Sequence, residues 1–213
     1  MRVLLTGFGP FPRAPFNPSA ALVKALARRR RPALADVERS AHVFATNYAS
    51  VDRDLPQLFA GKPDVVLMFG LAARTRHLRI ETRARNAVSV IFPDASGFRH
   101  AGAPLAPARP STLGSAAPSS RLLGALRQRG LPARLSRDAG NYLCNYAYWR
   151  ALERTRGARG GTALVQFIHV PPLRSKPRPR RRASLRRGRT PSFADLVAAG
   201  EALLIALVAA RRR

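Results

Sequence analysis

The chain alternates short apolar runs with longer segments whose apolar residues recur at helical spacing. The runs at 2–6 and 65–69, followed by Gly7 and Gly70, predict buried strands that end in loops. The alternation of apolar and polar residues over 37–46 predicts a further strand between them. Because helices are predicted in the connections, the order of elements indicates right-handed crossovers and a mostly parallel sheet with helices on both faces.

Helix boundaries are marked by capping residues. Asn17 and Pro18 predict the N-cap and first turn of a helix that Pro32 ends. A second helix is predicted over 51–59, where apolar residues share one face. Ser192 predicts the N-cap of a last helix whose apolar residues pack on the sheet.

The second half of the chain repeats this alternation around a long polar stretch. Strands are predicted over 131–135 and 163–170, and a helix over 146–156. Residues 97–120 are rich in Ala, Pro, Gly and Ser and predict a long loop. We therefore expect a single domain over 1–213 with flexible loops at 97–120 and 173–191.

The only cysteine, Cys144, falls where the helix after the 131–135 strand is expected to begin. The free N–H groups and positive end of a helix N-terminus lower the pKa of a thiol and can bind an oxyanion, so Cys144 is a candidate nucleophile. The alternative is that Cys144 is a small apolar residue of the core, as free cysteines usually are.

Two further candidates lie on predicted strands. His169 ends the apolar 163–170 strand, where Pro171 and Pro172 forbid continuation, and is either a general base or a core histidine. Glu81 lies on an alternating strand crowded with arginines, and is either a carboxylate that orients a histidine or a surface acid. Together, Cys144, His169 and Glu81 supply the nucleophile, base and orienting acceptor that cysteine hydrolysis of an acyl bond requires.

Two aromatic residues, Phe8 and Phe11, lie in the turn-rich loop that follows the first strand. Open α/β folds place their ligands at the carboxyl ends of strands, so these rings are candidates for the walls of an apolar pocket. The alternative is ordinary packing.

Composition narrows the class of protein. The apolar fraction of 46% over 213 residues suits one folded domain, and a single cysteine excludes an internal disulfide. The N-terminal apolar run is too short for a signal peptide, and the longest apolar candidate, 202–210, is about half of a membrane span. We expect a cytoplasmic protein with no membrane partner.

The formal net charge of +27 is unusual, and almost all of the basic residues are arginine. The densest block, at 174–189, is rich in Pro and Arg and predicts an exposed loop. Such a run can bind phosphate backbones without sequence preference. The chain has no stacking aromatics in this block and no recognition-helix pattern, so nucleic-acid binding is kept only as an alternative function.

Three stretches then resemble the pyroglutamyl peptidase I (pyrrolidone-carboxylate peptidase) family of cysteine peptidases. They are Leu-Thr-Gly-Phe-Gly-Pro-Phe at 5–11 with Asn-Pro-Ser at 17–19, Ala-Gly-Asn-Tyr-Leu-Cys-Asn at 139–145, and Phe-Ile-His-Val-Pro at 167–171. The resemblance runs from the first strand to the last helix. It implies a three-layer α/β/α sandwich around a mostly parallel twisted sheet, and removal of an N-terminal pyroglutamate from peptides.

Residue by residue, the resemblance implies that Cys144 is the nucleophile, His169 the base and Glu81 the orienting carboxylate. It implies that Phe8 and Phe11 sandwich the pyrrolidone ring. The remaining residues expected at the substrate site are Leu71, Tyr142 and Leu143. It implies no metal or other cofactor, and a homo-oligomer, either tetramer or dimer.

The chain departs from the family pattern at several points. Leu71 stands where some members carry a polar residue, and Ile91 stands where many carry an arginine. The segment 97–120 lacks the usual motifs, and the block at 174–189 is unusually basic. These departures bear on substrate preference and on subunit contacts, and they keep open a catalytically degenerate relative with the same fold.

Overall fold

The computed structural model describes residues 1–11, 14–102, 104–107, 109–156, 163–173 and 191–213. The described strands are β1 Arg2–Phe8, β2 Glu38–Phe44, β3 Val65–Leu71, β4 Leu78–Glu81, β5 Arg83–Arg85, β6 Thr112–Gly114, β7 Ala133–Ser136 and β8 Leu164–Val170. The described α-helices are α1 Pro18–Arg28, α2 Tyr48–Ala60, α3 Ser119–Gln128, α4 Leu143–Thr155 and α5 Phe193–Arg211, and a 3₁₀ turn covers Pro32–Leu34.

Six strands form the central sheet in the order β2-β1-β3-β8-β4-β7. Neighbours among β2, β1, β3 and β8 are parallel. Strand β4 is antiparallel to β8, and β7 is parallel to β4, so these two strands run against the other four. The prediction of a mostly parallel sheet is confirmed, while the reversed pair was not anticipated because side-chain alternation carries no information on strand direction.

The sheet separates two hydrophobic cores. On one face, α1, α3 and α5 pack against side chains that include Leu5, Leu67 and Ile168. On the other face, α2 and α4 pack against Met68 and Phe167. Alternate residues of each strand therefore enter opposite cores, as the period of two requires, and the three-layer α/β/α fold is confirmed.

The expected caps are present at both ends of the chain. The Asn17 side chain accepts a hydrogen bond from the Ser19 N–H, and Pro18 occupies the first helical position of α1. Ser192 and Asp195 form a reciprocal capping box at the start of α5. Helix α5 is long and apolar enough to cross a membrane by length and composition alone. Its leucines 203, 204 and 207 are buried in the protein core, which accounts for this apolar character.

The long loop expected at 97–120 is more structured than its composition suggests. It contains β6, which pairs with β5 in a small antiparallel sheet, and its last two residues begin α3. Pairing of a three-residue strand rests on backbone hydrogen bonds that composition does not reveal. Of the other expected loop, 173–191, residues 174–190 lie outside the described residues, and with them the basic block at 174–189.

Candidate active site

The first turn of α4 carries Cys144. Tyr142 is the N-cap and the helix begins at Leu143, three residues before the predicted start. Cys144 therefore lies in the first turn, as expected, with its side chain half-buried. The N–H groups of this turn have no acceptor within the helix, so they can donate to a bound anion.

Gly70 on β3 makes room for the sulfur. A Cβ atom built on Gly70 would lie 2.6 Å from Cys144 Sγ and 2.8 Å from Phe167 Cζ. Gly70 is also the residue of β3 that pairs in register with His169 on β8. The missing side chain thus allows the thiol to lie directly against the sheet, beside the strand position that carries His169.

His169 and Glu81 form a buried pair. His169 Nδ1 lies 2.8 Å from Glu81 Oε1. The Glu81 side chain is fully buried, and that of His169 is 7% exposed. A carboxylate can only accept, so Nδ1 carries the proton and Nε2 is left free to act as a base. The alternative that Glu81 is a surface acid among arginines is wrong.

The main chain of Glu81 is also held in place. Tyr148 OH on α4 donates to the Glu81 carbonyl oxygen at 2.9 Å, and Gln166 Nε2 on β8 donates to the same oxygen at 2.8 Å. The helix that carries Cys144 and the strand that carries His169 are therefore both hydrogen-bonded to the backbone of Glu81.

The pKa of the Cys144 thiol differs from the expectation. Burial and the negative charge of Glu81 raise the pKa of Cys144 to about 12, and the residue's own backbone N–H is the one group that lowers it. From the sequence, the helix N-terminus was expected to lower the pKa of this thiol. In the structure, the cost of desolvating the thiolate is larger than the effect of the helix N-terminus. Ionisation of this sulfur requires transfer of its proton to a nearby base.

The two phenylalanines expected at the substrate ring occupy different environments. Phe8 ends β1 and is 2% exposed, with its ring 5.6 Å from that of Phe44. Thr6 on β1 pairs with Met68 on β3, so Phe8, two residues further along β1, lies level with Gly70 on β3. The Phe8 side chain packs in the same core as Met68 and Phe167. Phe11 is half-buried and forms an isolated bridge with Ala14 beyond the end of β1.

The other expected substrate residues surround the start of α4 and the end of β3. Leu71 ends β3, is half-buried and pairs with Val170. Tyr142 OH donates to the Pro93 carbonyl at 2.8 Å. Leu143 is buried in the core beneath the first turn of the helix.

Asn145 is a residue of the site that sequence reasoning missed. Its buried side chain donates to the carbonyls of Arg85 and Ala87 and accepts from the Arg85 N–H, at 2.8–2.9 Å. These bonds connect the end of β5 and the residues just after it to the first turn of α4. The available signal was a polar residue directly after Cys144 in an otherwise apolar helix face.

Among the described residues, the His, Cys, Asp and Glu side chains form no group of three or more that could hold a metal ion. Ile91, one of the positions at which the sequence was expected to depart from the family pattern, is 66% exposed.

Comparison with known proteins identifies the family. The family profile described as pyroglutamyl peptidase matches residues 1–212. A pyrrolidone-carboxylate peptidase from Pyrococcus furiosus is 31% identical over 172 residues, which are 80% of this chain and 81% of that protein. One from Clavibacter michiganensis is 34% identical, over 79% of this chain and 78% of that protein.

The fold leads to the same family. A mutant pyrrolidone carboxyl peptidase from Pyrococcus furiosus superposes with a TM-score of 0.82 at 25% identity, covering 99% of this chain and 100% of that chain. The pyrrolidone carboxyl peptidase from Thermus thermophilus superposes with a TM-score of 0.79 at 29% identity, covering 96% and 100%. By sequence and by fold, this chain belongs to the pyroglutamyl peptidase family.

Proposed function

We propose that Cys144, His169 and Glu81 form a catalytic triad that hydrolyses the bond after an N-terminal pyroglutamyl residue. The observation that carries this proposal is the buried hydrogen bond of 2.8 Å between His169 Nδ1 and Glu81 Oε1. It lies beside the strand position at which Gly70 makes room for Cys144 Sγ. Membership of the family supports the reaction class, and this geometry supports the assignment of the three residues.

In the first half-reaction, Cys144 Sγ attacks the carbonyl carbon of the pyroglutamyl residue. The thiol proton passes to Nε2 of His169, which Glu81 holds in the required tautomer. Because burial raises the pKa of Cys144, the thiol needs His169 as a base to take this proton. The N–H groups at the start of α4 donate to the oxyanion of the tetrahedral intermediate.

The first half-reaction ends when the bond to the leaving peptide nitrogen breaks and His169 gives that nitrogen the proton. A thioester between pyroglutamate and Cys144 remains, and its hydrolysis is the second half-reaction. Water then attacks the thioester while His169 takes a proton from it, and the proton returns to the sulfur as pyroglutamate leaves. Every proton removed is given back, so the enzyme is regenerated.

The pocket for the pyrrolidone ring is proposed to be formed by Phe8, Phe11, Leu71, Tyr142 and Leu143. The ring is uncharged and flat, and it suits an apolar pocket near the end of β1. A substrate with a free amino terminus must desolvate a charge to enter such a pocket, which disfavours it.

The decisive experiment is release of a fluorophore from a pyroglutamyl amide by the purified protein and by Cys144→Ala, His169→Ala and Glu81→Gln. We expect loss of roughly a thousandfold or more in kcat for the first two variants. A prolyl amide, which keeps the five-membered ring but carries a charged nitrogen, serves as the matched substrate control. Gly124→Ala, on α3 with open space around it, serves as the control variant.

Two results would contradict the proposal. One is an intact, reduced wild-type protein with no turnover, which would indicate a degenerate relative. The other is full activity in Cys144→Ala, which would place the nucleophile elsewhere.

We also propose a cytoplasmic homo-oligomer, either a dimer or a tetramer. A single unpaired thiol that must stay reduced suits a reducing compartment. Exposed apolar side chains such as Phe16 and Phe98 offer surface for subunit contacts. Sedimentation equilibrium measures the subunit number, and a monomer at micromolar concentration would contradict this assignment.

A further inference from the structure

Arg79 occupies an unusual position relative to the candidate triad. It lies on β4 two residues before Glu81, so both side chains point to the same face of the sheet. On the neighbouring strand β8, the residue paired with Arg79 is His169. The Arg79 side chain therefore lies on the same face of the sheet as His169, directly beside it on the neighbouring strand.

The guanidinium of Arg79 contacts three groups. Its Nε lies 3.0 Å from Glu81 Oε1, the same oxygen that contacts His169. Its Nη2 donates to Ser136 Oγ at 2.8 Å and to the carbonyl oxygen of Asp138. Ser136 ends β7 and Asp138 belongs to the segment that leads into α4, so Arg79 connects the buried carboxylate to the chain that delivers Cys144.

The charge of the pair requires such a cation. A base that accepts the thiol proton must begin neutral, and a neutral imidazole leaves the fully buried Glu81 carboxylate without a counter-charge. The second oxygen, Oε2, is buried and makes no hydrogen bond within the described part of the chain. Arg79 is the group that contacts this carboxylate with a permanent positive charge.

We propose that Arg79 is a positioning residue of this enzyme, which holds the Glu81 carboxylate in place and supplies its counter-charge while His169 is neutral. The inference rests on the proposed function, since it assigns Arg79 a part in the same reaction. Its side chain is 26% exposed, so the cation stays partly solvated while the carboxylate does not. Arg79 therefore affects the reaction through Glu81 and does not itself contact the reacting atoms.

The electrostatic consequence has a definite sign. Cys144 and His169 lose their protons in two coupled steps, and the singly protonated pair is the form that reacts. Removing a nearby cation favours the more protonated form at both steps. Both limbs of the pH profile should therefore move to higher pH without Arg79, whereas removing the anion of Glu81 should move them to lower pH. The charged and titratable groups around Cys144 and His169 are Arg79 and Glu81 on β4, Tyr148 on α4, and the Arg85–Asp138 ion pair beside the start of α4. Arg134 on β7 is exposed and lies one strand further out than Arg79.

The test measures two pH profiles for wild type, Arg79→Gln, Arg79→Lys and the control Arg134→Gln. One is kcat/KM on a pyroglutamyl amide, and the other is the rate of alkylation of Cys144, the only thiol, by iodoacetamide. Arg134 pairs with Arg79 one strand further out and is exposed, so its removal changes the net charge equally without touching Glu81.

We expect Arg79→Gln to move both profiles up by about half to one pH unit. At neutral pH, kcat should fall roughly tenfold while KM changes by less than about twofold. Arg79→Lys should keep the position of the profile and lose part of kcat, because one ammonium cannot reproduce the planar fork of the guanidinium. Arg134→Gln should coincide with wild type.

Two results overturn the proposal. One is a profile of Arg79→Gln that coincides with wild type, and the other is an equal shift in Arg134→Gln, which would indicate net charge alone. If Arg79→Gln does not fold, Arg79→Lys decides, since an unchanged kcat in that variant would show that the bridging contacts have no effect. If wild type does not turn over the amide, the proposed function fails, while the alkylation profile still decides the role of Arg79.

Discussion

Gly70 and Cys144 are in contact at a point where any other residue than glycine would collide with the sulfur. A Cβ on Gly70 would lie 2.6 Å from Cys144 Sγ, well inside the contact distance of carbon and sulfur. Gly70, on the core strand β3, thus leaves the space that the sulfur of the candidate nucleophile occupies.

Gly70→Ala should inactivate the enzyme while leaving it folded. The added methyl group forces the sulfur or Phe167 to move, and displacement of a nucleophile by about 1 Å costs roughly a hundredfold in rate. Overpacking should lower stability by about 1–3 kcal/mol. Steady-state kinetics and thermal unfolding measure the two effects. The matched control Gly114→Ala, with no atom within 4 Å, should retain activity, and wild-type kcat in Gly70→Ala would refute the steric argument.

His169→Ala should make Cys144 almost unreactive at neutral pH. Burial and Glu81 raise the pKa of the thiol to about 12, so without the base the thiolate forms only in strongly alkaline solution. We expect alkylation of the variant at pH 7 to be at least about a hundredfold slower than that of wild type. Mass spectrometry of the single alkylated site follows the rate. Equal rates in the two proteins would mean that the thiol ionises without His169.

Asn145→Ala should destabilise the protein more than its size suggests. The change leaves the Arg85 N–H and the carbonyls of Arg85 and Ala87 without their side-chain partners. We expect a loss of about 2–4 kcal/mol in the free energy of unfolding, measured by urea denaturation. Asn141→Ala, the same substitution at an exposed position four residues earlier, should change it by less than about 0.5 kcal/mol. A similar loss in both variants would contradict the role given to these bonds.

Glu201→Gln should remove part of the acid sensitivity of the fold. Burial acts to raise the pKa of Glu201, but the hydrogen bond and charge of Arg31, with Arg29, outweigh it and hold the pKa below its usual value. A carboxyl whose pKa is lower in the folded protein stabilises it fully above about pH 5, and this contribution is lost as the pH falls through the lowered pKa.

At pH 7 we expect the Glu201→Gln variant to be about 1–2 kcal/mol less stable than wild type, and the difference to shrink towards pH 3. Urea denaturation at a series of pH values measures it. A constant difference across this range would show that the contribution of Glu201 to stability does not depend on its ionisation. Asp36→Asn, at an exposed ion pair with Arg212, provides the comparison and should change stability much less.

A mostly parallel sheet with helices on both faces could be predicted from the sequence, because apolar periodicity and capping residues repeat clearly along the chain. The sequence also placed Cys144 in the first turn of a helix and His169 on a core strand. The direction of β4 and β7 could not be predicted. These two strands are antiparallel to the rest of the sheet, and the pattern of apolar and polar residues does not depend on strand direction. The short strand β6 was hidden for a similar reason, because its pairing is made by the backbone.

The electrostatics of the site could not be predicted either. Arg79 looked like one of many arginines around Glu81, and only the fold shows that it contacts the buried carboxylate. The pKa of Cys144 was expected to fall because a helix terminus can be recognised locally. Burial and the charge of Glu81, which raise it, depend on elements distant in sequence.

The backbone carbonyl of Glu81 accepts hydrogen bonds from Tyr148 and Gln166. These bonds connect the helix that carries Cys144 to the strand that carries His169, and they involve neither the Cys144 sulfur nor the His169 ring. A protein with its sulfur deleted should therefore keep the shape of its pocket. Such a variant would serve as a capture reagent, able to retain peptides with a cyclised N-terminus without cutting them.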